Sequence, residues 1–477
     1  MFSLEDVLQS NAGNVHIISK QTPPRSTTFR AAHHDSRQIE PGDLFIAIKG
    51  ARVDGHRFIP AVAQAGAMGA LCSEPSQEVP PDFIQIVVPD VVAALHATAR
   101  ARTQRQEHTT LIGITGSNGK TSTKEAAAAV LSHKAPTLKT QASYNNEIGY
   151  PLTLLRLEPQ HRYAVLEMGA QWVGELKWLC ETIARPDWSL ITNIGAAHLE
   201  YFGSQERVVI AKSELVQALT PEGIAILNYD DANVRSMSAK TQARVLYYGL
   251  HEEAEVRASA IGGDTLRGRS FTLRYHNNEQ RMQLRLPGEH GITIALAAAA
   301  IGCAAEMELP AIAEALQALA PAKGRGEIKV GPNGSTLIDD TYNANRQSIV
   351  AITQAMHDTT LASEGRRWAV LGDIFELGPY ARAEHQASGA ALAGVVDYLV
   401  AIGEQARFYV EGAIAAGMPE TQAYYFSADV EDRGEQEAAK AAASDLLRHE
   451  VRSTDLVLLK GSRGMLMETM LPTLQKG

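Results

Sequence analysis

Cysteine is scarce. Cys72, Cys180 and Cys303 are the only three in 477 residues, far apart and outside any CxxC pair. That spacing argues against a disulfide framework and a cysteine-built zinc site, and it points to a reducing, cytoplasmic compartment. Long apolar runs are missing as well. No stretch approaches the roughly 18 residues that would cross a bilayer, and no basic-then-apolar leader opens the chain. The Ala-rich segments 126–130 and 295–300 are too short to span and read as packed helices. Excess positive charge is also absent: 44 Lys+Arg stand against 54 Asp+Glu, a formal net charge of −10. With no basic stripe, neither a nucleic acid nor a membrane is an expected partner, and an anionic ligand needs a local cationic pocket. There is no internal repeat and no low-complexity tail.

What is present suits a soluble globular chain, with 45% hydrophobic and 21% charged residues. At roughly 100–200 residues per domain, the length predicts about three domains. The most informative stretch is GITGSNGKTSTKE at 113–125, a glycine-rich loop between an apolar strand and an Ala-rich helix predicted over 122–133. Glycines let backbone N–H groups close on phosphate oxygens, and a helix N-terminus adds partial positive charge. Gly116, Ser117, Asn118, Gly119, Lys120, Thr121 and Ser122 are thus candidates for a nucleoside triphosphate, with Lys120 on the terminal phosphates and the Thr121 hydroxyl on Mg²⁺. The spacing departs from the common phosphate loop, which has a glycine where Ile114 stands.

The pattern around this loop predicts an α/β protein of three parts. Residues 1–106 read as a small α/β unit ending in a polar helical link at 97–110. Residues 107–318 carry apolar strands near 111–115, 163–167, 188–194, 224–228 and 244–248, alternating with helices in the manner of a parallel sheet. An antiparallel addition follows over 251–286, then a helix over 287–302. Residues 319–477 hold five more strands separated by helices, a second, Rossmann-like doubly wound sheet. A cleft between such domains suits chemistry that must exclude water.

Carboxyl ends of strands are where such sheets place ligands. Glu167 ends one beside the loop and is a candidate Mg²⁺ carboxylate, or else a helix cap. His198 follows another, and Lys212 sits in an otherwise apolar stretch. Asp339 and Asp340 end a strand of the third block.

GITGSNGKTSTKE, SYNNEIGYPLTLL (143–155), LEMGA (166–170), TNIGAAHLEYFGS (192–204) and the AKSE around Lys212 together resemble the Mur ligase family of peptidoglycan precursor synthesis. LIDDTYNAN (337–345), LGDIFELG (371–378) followed by His385, and LLKGSRGM (458–465) are similar to the members that add D-alanyl-D-alanine to a UDP-N-acetylmuramoyl-tripeptide. The resemblance covers nearly the whole chain, in order. It implies ATP-dependent amide formation through an acyl phosphate, with a UDP-sugar domain, a central ATP-binding domain and a C-terminal ligase domain. It further implies two Mg²⁺ ions, one on Thr121 and Glu167, the other on His198 and a carbamylated Lys212. Asn145 and Asn146 fall in a matched nucleotide-site motif. Arg325, in KGRGE, matches an arginine that reaches the phosphates, and Asp339 or Asp340 would accept from the ribose. Asn343 and Asn345 fall to the substrate, as do Ser36 and Arg37 on the UDP side; helix capping by Asp340 and Asn345, and a turn role for Ser36 and Arg37, are the competing readings. A monomer is the default expectation, since the sequence itself is silent on oligomeric state.

Two departures stand out. The family usually shows asparagine after the histidine of GxHN and again three residues later; here those positions are Gly291 and Ile294, leaving His290 or backbone to meet the adenine. A proline usual in the NANP pattern is Arg346 here. Two other readings stay open at this point: a folylpolyglutamate synthetase-like ligase, and a nucleotide-gated switch without amide chemistry.

Overall fold

A computed structural model describes residues 1–50, 53–195, 202–266 and 268–475. Three mainly parallel sheets succeed one another along the chain. The first has five strands in the order His16–Ile18, Ile84–Val87, Gly69–Cys72, Leu44–Ile46, Ala32–His33, with only His16–Ile18 antiparallel. The polar link predicted at 97–110 begins earlier, as helix Val91–Gln104. Asp90 caps its first turn, and Ala94, Leu95 and Ala99 are buried in a core shared with the central sheet. Arg102 fastens the helix to the central unit by donating to the Leu157 carbonyl at 2.9 Å.

The central sheet has nine strands. Thr110–Thr115 lies between Tyr163–Glu167 and Trp188–Ile191, parallel to both; the chain leaves it toward one side of the sheet and leaves its neighbour Trp188–Ile191 toward the other. That reversal opens a crevice at the carboxyl end of Thr110–Thr115. Strands Ile224–Asn228 and Arg244–Gly249 extend the sheet in parallel, and Val256–Asp264, Gly268–Tyr275 and Asn278–Leu284 finish it as an antiparallel meander. The two Ala-rich segments form helices Lys120–Ser132 and Gly288–Ala304, which pack on each other in one apolar core. Small side chains allow the close approach. A Cβ at Gly302 would stand 2.8 Å from Val130 Cγ1, so the crossing admits nothing larger.

The third sheet runs Glu327–Val330, Thr336–Asp340, Leu456–Lys460, Arg367–Gly372, Tyr398–Ile402, Ala423–Phe426. All pairs are parallel except the first. The last strand in sequence therefore lies between the second and third strands of this block, bringing the ends at Asp340, Gly372 and Lys460 together. Two short strands have no counterpart in the apolar pattern, Thr137–Lys139 and Glu327–Val330. Both are edge strands of three or four residues.

Candidate active site

Thr110–Thr115 feeds the glycine loop, and helix Lys120–Ser132 starts at once behind it. Gly116 and Gly119 have φ of 143° and 79°, left-handed values that favour glycine. A Cβ on Gly116 would fall 2.0 Å from Thr192 Oγ1, so only glycine lets the loop touch the neighbouring strand end. That end braces the loop: the Ser117 N–H donates to the Asn193 carbonyl and the Asn118 N–H to its side-chain oxygen, both at 2.9 Å. The first N–H groups of a helix have no intrahelical acceptor. Those of Lys120, Thr121 and Ser122 thus remain for a ligand, at the positive end of the helix dipole. The Lys120 ammonium meanwhile curls back to the Gly116 carbonyl at 2.8 Å. Loss of hydration lowers its pKa, with Glu167 opposing the shift and Arg325 adding to it.

The loop faces a cleft of about 640 Å³ between the central and C-terminal units. Its polar end gathers Lys120, Thr121, Asn145, Glu167, Arg325 and Asp340; its apolar end is lined by Leu286, Pro287, Ile294, Leu319, Ile352 and Ala355. Ser117, Asn118, Gly119, Ser122 and His290 also line it. Glu167 is 1% exposed. One carboxylate oxygen accepts from Asn145 Nδ2 at 2.8 Å, while Oε2 has no hydrogen-bond partner among the described residues. An orphaned buried carboxylate oxygen beside a hydroxyl-bearing phosphate loop fits a divalent cation held jointly with Thr121. Lys212, on helix Gln205–Gln217, is 2% exposed, and among the described residues it makes one weak hydrogen bond, 3.4 Å to the Ala170 carbonyl. Burial lowers its pKa to about 7; Lys120 pushes the same way, and Glu175 and Glu214 oppose. A buried amine that loses its proton near neutral pH is what addition of CO₂ needs. His198 lies outside the described residues.

Arg325 sits between Gly324 and Gly326, both left-handed, and its guanidinium stacks over Tyr342 at 4.1 Å. Asp340 pairs with Lys460 at 2.6 Å, its partner in strand register, and faces the cleft. Asp339 does not. Strand alternation turns it to the other face, where Lys329 at 2.6 Å and the Thr341 hydroxyl at 2.7 Å consume it. Asn146 also stays away from the cleft, its oxygen accepting the Gly149 N–H at 2.9 Å at the start of a short helix. Asn345 caps helix Arg346–His357 by accepting from the Ser348 N–H at 2.9 Å, and its amide reaches across to Asn118. Asn343 is exposed, and its carbonyl accepts from Lys460 at 2.9 Å. Ser36 and Arg37 form a 3₁₀ turn capped by Asp35, with Arg37 exposed and paired to Asp35 at 2.7 Å. The next residue, Gln38, meets Tyr144 of the central unit at 3.0 Å.

The pattern along the chain gave no role to Lys124. It lies one turn beyond Lys120 and is fully buried, donating to the Ala142 carbonyl at 2.8 Å with Glu167 Oε2 4.0 Å away. The signal was its i,i+4 spacing from Lys120, which puts both ammonium groups on one face of the helix. A smaller cavity of about 240 Å³ adjoins the cleft across Lys120, walled by Ile374, Phe375, Glu376 and Leu377 and by Ser462 and Arg463.

Three family models match in chain order: Mur ligase family, catalytic domain over residues 29–103; Mur ligase middle domain over 114–302; and Mur ligase, glutamate ligase domain over 324–463. The chain belongs to the Mur ligase family. A UDP-N-acetylmuramoyl-tripeptide--D-alanyl-D-alanine ligase of Mycobacterium bovis is 36% identical over 487 residues, covering 94% of this chain and 93% of that protein. The crystal structure of MurF from Acinetobacter baumannii superposes with a TM-score of 0.84 at 32% identity, over 100% of this chain and 99% of that one. MurF ligase from Thermotoga maritima in complex with ADP gives 0.76 at 25% identity, over 94% and 97%. This Mur ligase therefore shares its three-sheet α/β architecture with MurF structures along its whole length.

Proposed function

We propose that the chain is an ATP-dependent amide ligase of cytoplasmic peptidoglycan precursor synthesis. It joins D-alanyl-D-alanine to UDP-N-acetylmuramoyl-tripeptide and releases ADP and phosphate. The observation that carries this reading is the full-length relation to ligases of that name, at 36% identity over 94% of the chain. Among the described residues no helix is long and apolar enough to cross a membrane.

In this reading residues 1–106 seat the UDP-sugar through Ser36 and Arg37, residues 107–318 bind ATP, and residues 319–477 close over both. Adenine enters the apolar end of the cleft, with His290 at its edge and Asp340 on the ribose. The N–H groups of Lys120, Thr121 and Ser122 take phosphate oxygens, and Lys120 leaves the Gly116 carbonyl for the γ-phosphate. Arg325 reaches the same phosphates from the other wall. The tripeptide carboxylate attacks the γ-phosphorus and ADP departs, leaving an acyl phosphate. The dipeptide amine then adds to the acyl carbon, and the tetrahedral intermediate collapses with loss of phosphate and of the amine proton. Two anions must be forced together in the first step, so fixed cations supply most of the rate. Thr121 and Glu167 would hold one Mg²⁺, and His198 with carbamylated Lys212 a second; bound there, the ions neutralise charge on the transferring phosphoryl group.

The smaller cavity is the seat of the dipeptide. It is too small for the UDP-linked substrate, touches Lys120, and carries both charge signs in Arg346, Arg463, Glu376 and Glu384, as a zwitterion requires. Asn343 and Asn345 line it as well. The test is a substrate panel with mass detection. ADP and a UDP-pentapeptide should form only when tripeptide and D-alanyl-D-alanine are both supplied, with diaminopimelate and lysine tripeptides compared. ADP formation with neither substrate, or only with a folate acceptor, would overturn the reading.

A further inference from the structure

Behind the smaller cavity lie two buried titratable residues for which the reaction above has no use. Asp373 ends the apolar run of strand Arg367–Gly372, and His385 lies on helix Ala381–Leu392. They are 1% and 0% exposed. The His385 ring packs on Tyr409 with centroids 4.6 Å apart. Its Nδ1–H donates to the Ala381 carbonyl at 2.7 Å, which leaves Nε2 as the acceptor for the Ile374 N–H at 3.0 Å. Burial pushes this imidazole down to about 4, so it is neutral and able to accept near neutral pH.

Asp373 holds the other side. One carboxylate oxygen accepts from the Glu404 and Gln405 N–H groups at 3.0 and 3.2 Å; the other has no hydrogen-bond partner among the described residues and stands 3.9 Å from His385 Nε2. A Cβ on Gly403 would fall 2.4 Å from Asp373 Cγ, so that loop closes directly on the carboxylate. The Asp373 carbonyl accepts from the Ser462 N–H at 3.1 Å, and the Ser462 hydroxyl accepts from the Phe375 N–H at 2.9 Å. Ile374 and Phe375, adjacent wall residues of the cavity, thus hang by their backbones from buried polar groups. The next residue, Glu376, has φ of 62°, a left-handed conformation that a side-chain-bearing residue keeps only where its surroundings dictate it.

We infer that His385 and Asp373 are positioning residues that hold the 374–376 wall in the shape that takes the zwitterionic dipeptide. The inference rests on the reading that the smaller cavity is the acceptor's seat. Neither residue touches the ligand. His385 acts through the Ile374 N–H, and Asp373, the residue before the wall, through its hold on the 404–405 amides, so the effect falls on the acceptor and spares the nucleotide.

Steady-state kinetics on the full chain test this. His385→Leu strands the Ile374 N–H in a buried site and should raise the KM for D-alanyl-D-alanine about tenfold. The KM values for ATP and the UDP-tripeptide should stay within about twofold, since neither the phosphate loop nor the cleft is altered. His385→Gln, which can return an acceptor oxygen, should recover most of the loss. Should His385→Leu not fold, Asp373→Asn keeps the shape, weakens the hold on the 404–405 amides, and should raise the same KM several-fold. Parental dipeptide KM in these variants, or a parallel rise in the KM for ATP, overturns the inference. Phe375→Ala separates the two levels. If it raises the dipeptide KM while the buried variants do not, the cavity assignment stands and the positioning role falls. If it leaves that KM unchanged, the assignment falls too.

Discussion

Gly291→Asn would place on this chain the side chain that Mur ligases usually carry after the histidine of GxHN. The structure argues that this chain does not accept it. Gly291 lies in the first turn of helix Gly288–Ala304, and a Cβ there would stand 2.8 Å from the Leu286 carbonyl oxygen and 2.9 Å from Leu286 Cβ. Leu286 is itself buried against the core that holds Ile292 and Ile294, so relief requires moving backbone. Overpacking of this kind costs about 1–3 kcal/mol. At about 2–4 °C per kcal/mol for a domain of this size, a cost of about 2 kcal/mol lowers Tm by about 4–8 °C. Affinity should fall as well. His290 is the preceding residue and packs against the phosphate loop, 3.2 Å from where a Gly119 Cβ would be, so any shift of the helix start presses on the loop. Thermal melts with and without ADP, and calorimetric ADP titration, read both effects. An asparagine variant that melts like the parent and binds ADP more tightly would refute the reasoning, because the site would then hold the usual adenine contact without strain.

Lys212→Ala should abolish turnover yet still bind ADP, because the phosphate loop is untouched, and acetate or formate should restore part of the rate; an active variant without added carboxylate would contradict the carbamate assignment. Lys120→Ala should lower kcat by about two orders of magnitude or more, about 3 kcal/mol of transition-state stabilisation, read by coupled ADP release. Asp373 and His385 predict opposite pH slopes. His385, lowered from 6.5 to about 4 in the fold, loses stability as pH falls through that window, while Asp373, raised from 3.8 to about 6, gains stability as pH falls from 6 to 3.8. Asp373→Asn should therefore melt with a steeper acid loss than the parent, and His385→Gln with a shallower one, in melts from pH 7 to pH 4.

Local chemistry was the legible part. The phosphate loop is contiguous, and its glycines, Lys120 and Thr121 act through backbone and neighbours within a few residues, so their meaning survives in the letters. The strands of both large sheets announce themselves as apolar runs, because they are covered on two faces. The short edge strands Thr137–Lys139 and Glu327–Val330 carry no such run and were invisible. Side chains whose role depends on strand alternation were ambiguous: Asp339 and Asp340 are adjacent letters, yet one is spent on Lys329 and the other faces the cleft. Asn146 reads like Asn145 but spends its side-chain oxygen on the Gly149 N–H. Lys124 acts through Ala142, 18 residues away, Asn193 through Asn118, 75 residues away, and His385 through a buried backbone amide, so their roles depend on the fold.

The most direct test of the account is the fate of an oxygen atom. With ¹⁸O in the terminal carboxylate of the UDP-tripeptide, attack on the γ-phosphate transfers one labelled oxygen to the phosphate released with ADP. The account predicts one ¹⁸O atom in that phosphate for each amide bond formed from fully labelled carboxylate, seen by mass spectrometry or by the isotope shift in ³¹P NMR. Phosphate that emerges unlabelled, while the pentapeptide product accumulates, would contradict the acyl-phosphate route and with it the roles given to Lys120, Arg325 and Glu167.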